Sequence, residues 1–125
     1  MQYHELNTAS ITSLVHEFYA DVRADPELLA VFSQAIGDDW QPHLARMVDF
    51  WSTVMMGSKQ FQGNVFGKHM QLSGVEPRHF RRWLDLFERT ADRLFEPKLA
   101  EEFHTVARRI AASLQYGFFG KVIEQ

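Results

Sequence analysis

Two histidines, a tyrosine and a tryptophan carry the chemistry this sequence can offer. His69 lies in FGKHMQL (residues 66–72), with Phe66 and Leu72 three residues away on either side. Gly67 comes just before it and the helix-stopping pair Ser73-Gly74 follows. At helical spacing the imidazole turns the same way as these apolar neighbours. Such a histidine is either a core side chain with a satisfied hydrogen bond or one whose nitrogen binds something buried. Tyr19 stands one position after Phe18 and four after Val15, on the inward side of a helix. A buried phenol there needs a hydrogen-bond partner. His43 precedes Met47 by four residues and Trp51 by eight, so it shares their face. Trp83 lies on the inner stripe of a later helix and offers one N–H donor and no acceptor.

Each residue has a plain structural reading. Tyr19 could bond a backbone carbonyl, His43 could be a half-exposed residue near a helix start, and Trp83 could be core filling. Their combination is less ordinary. One histidine lies on a short irregular segment, a second lies on a facing helix, and two donors can point into the same interior. A buried metal cofactor with a small bound ligand requires that set. The remaining histidines are weaker candidates. His4 falls in a terminal tail, and His16 and His104 fall beside their apolar stripes, where solvation is expected. His79 is at the edge of its stripe, and a cofactor contact there stays open. No His-Glu-x-x-His pair, acidic calcium loop, nucleophile elbow or phosphate-binding glycine loop occurs.

The elements that must position these residues are all helical. Ile11, Leu14, Val15, Phe18 and Val22 form the inward face of a first helix, capped by Asn7, Thr8 or Ser10 and ending near Asp25-Pro26. Asp25 caps a short second helix with Pro26 in its first turn, Leu28, Leu29 and Phe32 as its apolar residues and Gly37 as its stop. Asp38 or Asp39 is expected to start the third, whose stripe is Trp40, Leu44, Met47, Trp51 and Val54 and which ends at Gly57. Residues 57–67 read as a loop, long enough to need an organiser other than packing, and a short turn of helix carries His69. Pro77 opens a helix with Phe80, Trp83, Leu84, Phe87, Ala91 and Leu94 inward. Pro97 opens the last, with Leu99, Phe103, Val106, Ile110 and Leu114 inward. There is no strand pattern, repeat or linker, so an all-α single domain over 1–125 is expected.

Composition narrows the function further. The chain has 11 Phe, 3 Trp and 3 Tyr among 125 residues, which is ample ring surface for a core or for a flat apolar ligand. The formal net charge is −3 with signs interspersed, so nucleic acid is not an expected partner. Arg78, Arg81 and Arg82 read as a solvated helix face. The absence of cysteine excludes disulfides, thiolate zinc sites, iron–sulfur clusters and Cys-x-x-Cys-His haem attachment, and suits a reducing cytoplasm. Asp49 interrupts the most apolar stretch, and no membrane span is expected. The opening MQYHELNT lacks the basic-then-apolar pattern of an export signal.

These segments, in this order, resemble the truncated haemoglobins, and specifically their third group. The resemblance runs from about Leu6 to Phe119. Phe18-Tyr19, Val22-Arg23 and Asp25 look like the family's first core helix, and Phe32 like the phenylalanine that packs on the haem. DDWQPHLARMVDFW (residues 38–51) looks like the distal helix, KHMQL (68–72) like the proximal histidine segment, and HFRRWLDLF (79–87) like the helix that brings a tryptophan into the distal pocket. The glycine pairs of the other two groups are absent.

The resemblance implies a truncated globin fold, a helical sandwich enclosing a noncovalent haem b (iron protoporphyrin IX). It makes His69 the iron ligand and places Tyr19, His43 and Trp83 on the distal side, with Met47 as the apolar wall. Phe32 would pack on the porphyrin. Arg46, or less directly Lys68, would pair with a haem propionate. The implied function is tight binding of oxygen, and of carbon monoxide or nitric oxide, rather than bulk transport. The alternatives are peroxide reduction or nitric oxide oxidation, with His43 as acid–base residue and a reductase as partner, and a cofactor-free helical interaction module.

Overall fold

A computed structural model of the chain describes residues 2–57 and 72–120. Five helices run through them: α1 (Thr8–Ala24), α2 (Pro26–Ile36), α3 (Gln41–Met56), α4 (Pro77–Leu94) and α5 (Pro97–Phe119). The all-α expectation holds. Among the described residues there is no strand, only an isolated bridge between Tyr3 and Phe95.

Local chemistry sets most of the helix ends. The Ser10 N–H donates to Asn7 Oδ1 at 2.8 Å and the Asn7 N–H donates back to Ser10 Oγ at 3.1 Å, so the two residues cap α1 reciprocally. Asp25 Oδ1 accepts from the N–H groups of Glu27 and Leu28 at 3.0 and 3.2 Å, capping α2. Pro26, Pro77 and Pro97 each occupy a first helical position, where a missing N–H costs nothing. Gly57 closes α3 in the left-handed conformation (φ 70°), as a side-chain-free residue can.

Two sequence expectations need correction in α3. Neither Asp38 nor Asp39 caps it; Trp40 is the capping position and supplies no side-chain bond. Trp40 is buried instead, 6.1 Å from the Tyr19 ring and 5.8 Å from the His43 ring, with the Arg23 guanidinium 5.1 Å over its face. Burial of this indole, not a cap, places the start of the helix. Val54 is 43% exposed, although the expected stripe included it. Residues advance about 100° each around a helix. Val54 therefore shares a side with Met47 and Phe50 but lies in the last turn of α3, and Met55 packs on the core in its place.

α1 lies at the centre, packing against α2, α3 and α4, while α4 and α5 form an antiparallel-type hairpin through Phe95-Glu96. Phe87, fully buried, joins them. It stacks on Trp51 (4.9 Å, 21°) and Trp83 (5.6 Å, 14°) and meets Phe18 edge-on (5.2 Å, 80°). The amino terminus is docked rather than a free tail: the Tyr3 N–H donates to Leu94 O at 2.6 Å and the Glu96 N–H to Tyr3 O at 3.0 Å.

The arginines expected on a solvated face also tie α4 to the start of α2. Arg82 donates to Asp25 at 2.6 and 3.0 Å, and Arg78 to Glu27 at 3.1 Å. Arg81 is exposed.

Candidate functional site

A cavity partly open to solvent lies between all five helices. From α1 it takes Tyr19; from α2, Leu28, Val31 and Phe32; from α3, Met47, Phe50 and Trp51. Leu72 and Val75 precede α4, which adds His79, Phe80 and Trp83; α5 closes the space with Ile110, Ala111, Leu114 and Phe118. The walls are apolar and rich in flat rings, and the polar side-chain groups among these lining residues belong to Tyr19, Trp51, His79 and Trp83. A planar, largely apolar macrocycle matches that lining by burying its faces on rings and aliphatic side chains.

Tyr19 reaches the cavity because α1 turns it inward beside Phe18, whose ring is 4.9 Å away. Phe32 meets the Tyr19 ring edge-on at 6.1 Å. Burial raises the Tyr19 phenol well above its ordinary value, so it stays protonated and is a hydrogen-bond donor. Trp83 is held between Phe87, on which it stacks, and Phe18, which it meets edge-on at 5.6 Å.

His43 and Arg46 take different places. The His43 ring lies 4.8 Å from Tyr19 in edge contact, with its Nε2 buried, and does not line the cavity. Arg46 is exposed on α3 and does not line it either. Thus Tyr19, Phe32, Met47 and Trp83 come together at the cavity, and His43 stands behind Tyr19. His69 and Lys68 lie outside the described residues. Among the described residues, no group of three or more His, Cys, Asp or Glu side chains could hold a metal ion.

Several lining residues were not singled out in the sequence. Phe50 is three residues after Met47, and Val31 three after Leu28, so helical spacing could have found both. Phe118 lies one turn beyond Leu114, the last residue assigned to the α5 stripe. His79 is more buried than its edge position suggested, with 7% exposure. Its Nδ1 accepts the Glu76 N–H at 3.0 Å. Burial, then the nearby Arg78 charge, lower its pKa from the ordinary histidine value, so the neutral ring is favoured. His104, expected to be solvated, has only 16% of its side chain exposed, with Nε2 3.0 Å from Asp92 Oδ1.

No helix among the described residues is long and apolar enough to cross a membrane.

Comparison with known proteins agrees with this geometry. The family model described as bacterial-like globin matches residues 3–115. The group 3 truncated haemoglobin ctb of Campylobacter jejuni is 30% identical over 118 residues, covering 92% of this chain and 93% of the relative. The crystal structure of the group III truncated haemoglobin from Campylobacter jejuni superposes with a TM-score of 0.91 at 29% identity, over 95% of this chain and 96% of that one. Matched by the family model along nearly its whole length and by these relatives in both sequence and fold, the chain belongs to the bacterial-like globins, as a truncated haemoglobin of the third group.

Proposed function

We propose that this globin holds a b-type haem noncovalently in the cavity, with His69 as iron ligand, and binds oxygen tightly instead of carrying it in bulk. Globins are haem proteins that bind small diatomic ligands such as oxygen, and the absence of cysteine excludes thioether attachment, in agreement with a noncovalent haem. The observation that carries the reading is the placing of the donor side chains Tyr19 and Trp83 in a mostly apolar, ring-rich lining.

When bound, the haem supplies an iron that takes small ligands, oxygen, carbon monoxide and nitric oxide among them. The side chains do the rest. Phe32, Phe50, Trp51 and Phe80 offer flat apolar surface and keep water away. His69 is assigned from its place in FGKHMQL, and Arg46 or Lys68 from theirs as partners for a carboxylate at the solvent edge. Tyr19, kept protonated by burial, and the Trp83 Nε1–H donate to a ligand that has drawn partial negative charge. Apolar surroundings strengthen such bonds by removing competition from water. A hydrogen bond to a charged acceptor contributes about 1.5–3 kcal/mol, which slows ligand release roughly 10- to 100-fold. Carbon monoxide takes on less charge and gains less from the same donors.

Peroxide reduction or nitric oxide oxidation through His43 has less support, because His43 stands behind Tyr19 and does not line the cavity. The test is oxygen dissociation from the ferrous protein by stopped flow. Tyr19→Phe is expected to speed release by more than tenfold; an unchanged rate would remove the phenol from ligand binding.

A further inference from the structure

His79 is a polar group that the distal-pocket account does not use. It is 93% buried by its 7% exposure, yet it lines the cavity from the first turn of α4, among Val75, Phe80 and Phe118. The ring has a defined orientation, because the Glu76 N–H donates to its Nδ1 at 3.0 Å and the His79 N–H donates to Glu76 O at 2.9 Å. A nitrogen that accepts from an N–H carries no proton of its own. In the neutral ring the proton is therefore on Nε2, which makes that atom a donor.

Among the described residues no hydrogen bond engages Nε2, although the bonds of Nδ1 and of the backbone are in place. A donor with a set tautomer, on a residue that is nine-tenths buried and lines an apolar cavity, is placed to meet an acceptor on whatever fills the cavity. Iron is not that acceptor. Ligation through Nε2 would need its lone pair, so the proton would have to move to Nδ1, against the Glu76 N–H. The haem periphery offers a better match: its carboxylates are strong acceptors and sit at its solvent edge. His79 stands on the solvent side of the cavity, next to Arg78, which is half exposed and pairs with Glu27. Arg78, Arg82, Glu27, Asp25 and Glu76 are already paired with one another, and a neutral donor suits a carboxylate there without adding charge.

We propose that the His79 Nε2–H donates to a carboxylate of the bound haem, so that α4 anchors the cofactor edge through a residue that also caps its own first turn. The inference rests on the haem reading of the cavity and adds to it an anchor on α4, distinct from Arg46 and Lys68.

The experiment is a cycle between protein and cofactor, read as equilibrium haem affinity and as the rate of haem loss to an acceptor apoprotein. Wild type, His79→Phe and His79→Glu are each loaded with iron protoporphyrin IX and with its dimethyl ester. The Glu variant keeps an acceptor for the Glu76 N–H, because Glu at this position of a helix bonds back to the cap, but it has no donor. Wild type is expected to hold the free acid about tenfold more tightly relative to the ester than His79→Phe does, the margin of a charge-assisted bond over a neutral one. His79→Glu should lose affinity for the free acid and little for the ester. His79→Gln, which retains both an acceptor and an amide donor, should recover part of the preference. Equal ester-to-acid ratios in wild type, His79→Phe and His79→Glu would overturn the anchor while leaving the haem reading intact. Failure of folded wild type to take up either haem would overturn both.

Discussion

The His43 imidazole meets the Tyr19 ring edge-on at 4.8 Å, and only the phenol of the pair lines the cavity. On the proposed function, His43 would act on a bound ligand through Tyr19 rather than beside it. His43→Ala is expected to change oxygen release by less than tenfold, well short of Tyr19→Phe, and to leave peroxide turnover standing. Stopped-flow release rates and a peroxidase assay on both variants check this. Loss of peroxide turnover with oxygen release unaltered would instead make His43 an acid–base residue.

Trp83 separates packing from donation. Its ring stacks on Phe87 at 5.6 Å, and a phenylalanine can keep much of that contact while losing the Nε1–H. Trp83→Phe should speed oxygen release about tenfold, since one charge-assisted hydrogen bond is lost. Its urea midpoint should move far less than that of a variant that opens a cavity. A large fall in stability with no change in release would assign Trp83 to the core alone.

Phe87 is the ring on which that core depends. It is fully buried and contacts rings from α1, α3 and α4. Phe87→Ala should cost about 3–5 kcal/mol, because the lost ring leaves a void that the surrounding Phe18, Trp51, Trp83 and Phe103 cannot close. Urea unfolding of the variant measures it. A cost below about 1 kcal/mol would show that Trp51 and Trp83 collapse onto each other.

Asp25 links the two helices whose starts frame one side of the cavity. Burial alone would raise its carboxyl. The Arg82 hydrogen bond and charge and the N–H groups of Leu28 and Glu27 outweigh burial and hold it below the usual carboxylate range. The unfolded chain then binds this proton more readily than the folded one, so stability rises with pH through this range. The contribution is complete above the ordinary carboxylate value, near pH 4, and is lost as pH falls through the lower folded value. Asp25→Ala should cost about 1 kcal/mol at neutral pH through the lost cap alone. It should also flatten the acid limb of the stability curve between pH 4 and the folded value. An acid limb identical to that of wild type would place the sensitivity elsewhere.

Much of this architecture is legible in the chain because single residues punctuate it. Pro26, Pro77 and Pro97 each open a helix, Asn7 and Asp25 cap two of them, and Gly37 and Gly57 close two more. Periodicity also turned Tyr19, Met47 and Trp83 inward, and they line the cavity. Periodicity stops being informative where a neighbouring helix decides the outcome. Asp38 and Asp39 look like caps, but burial of Trp40 sets where α3 begins. Val54 fits the stripe by angle, yet in the last turn of α3 it is exposed and Met55 packs on the core instead. His79 and His104 sit at stripe edges, and only packed neighbours reveal that both are largely enclosed. His43 shares the face of Met47 yet stops at Tyr19, because a face does not say how far a side chain reaches. The assignment of His69 rests on its motif and on the family.

The central claim is that the cavity between these helices takes a haem through His69. The ultraviolet–visible spectrum of the purified protein, titrated with haem as wild type and as His69→Gly, tests it most directly. The account predicts a sharp Soret band saturating at one haem per chain in wild type, lost or strongly altered in His69→Gly while the helical content of the variant is preserved. A folded wild type that takes up no stoichiometric haem, or a His69→Gly spectrum identical to that of wild type, would contradict it.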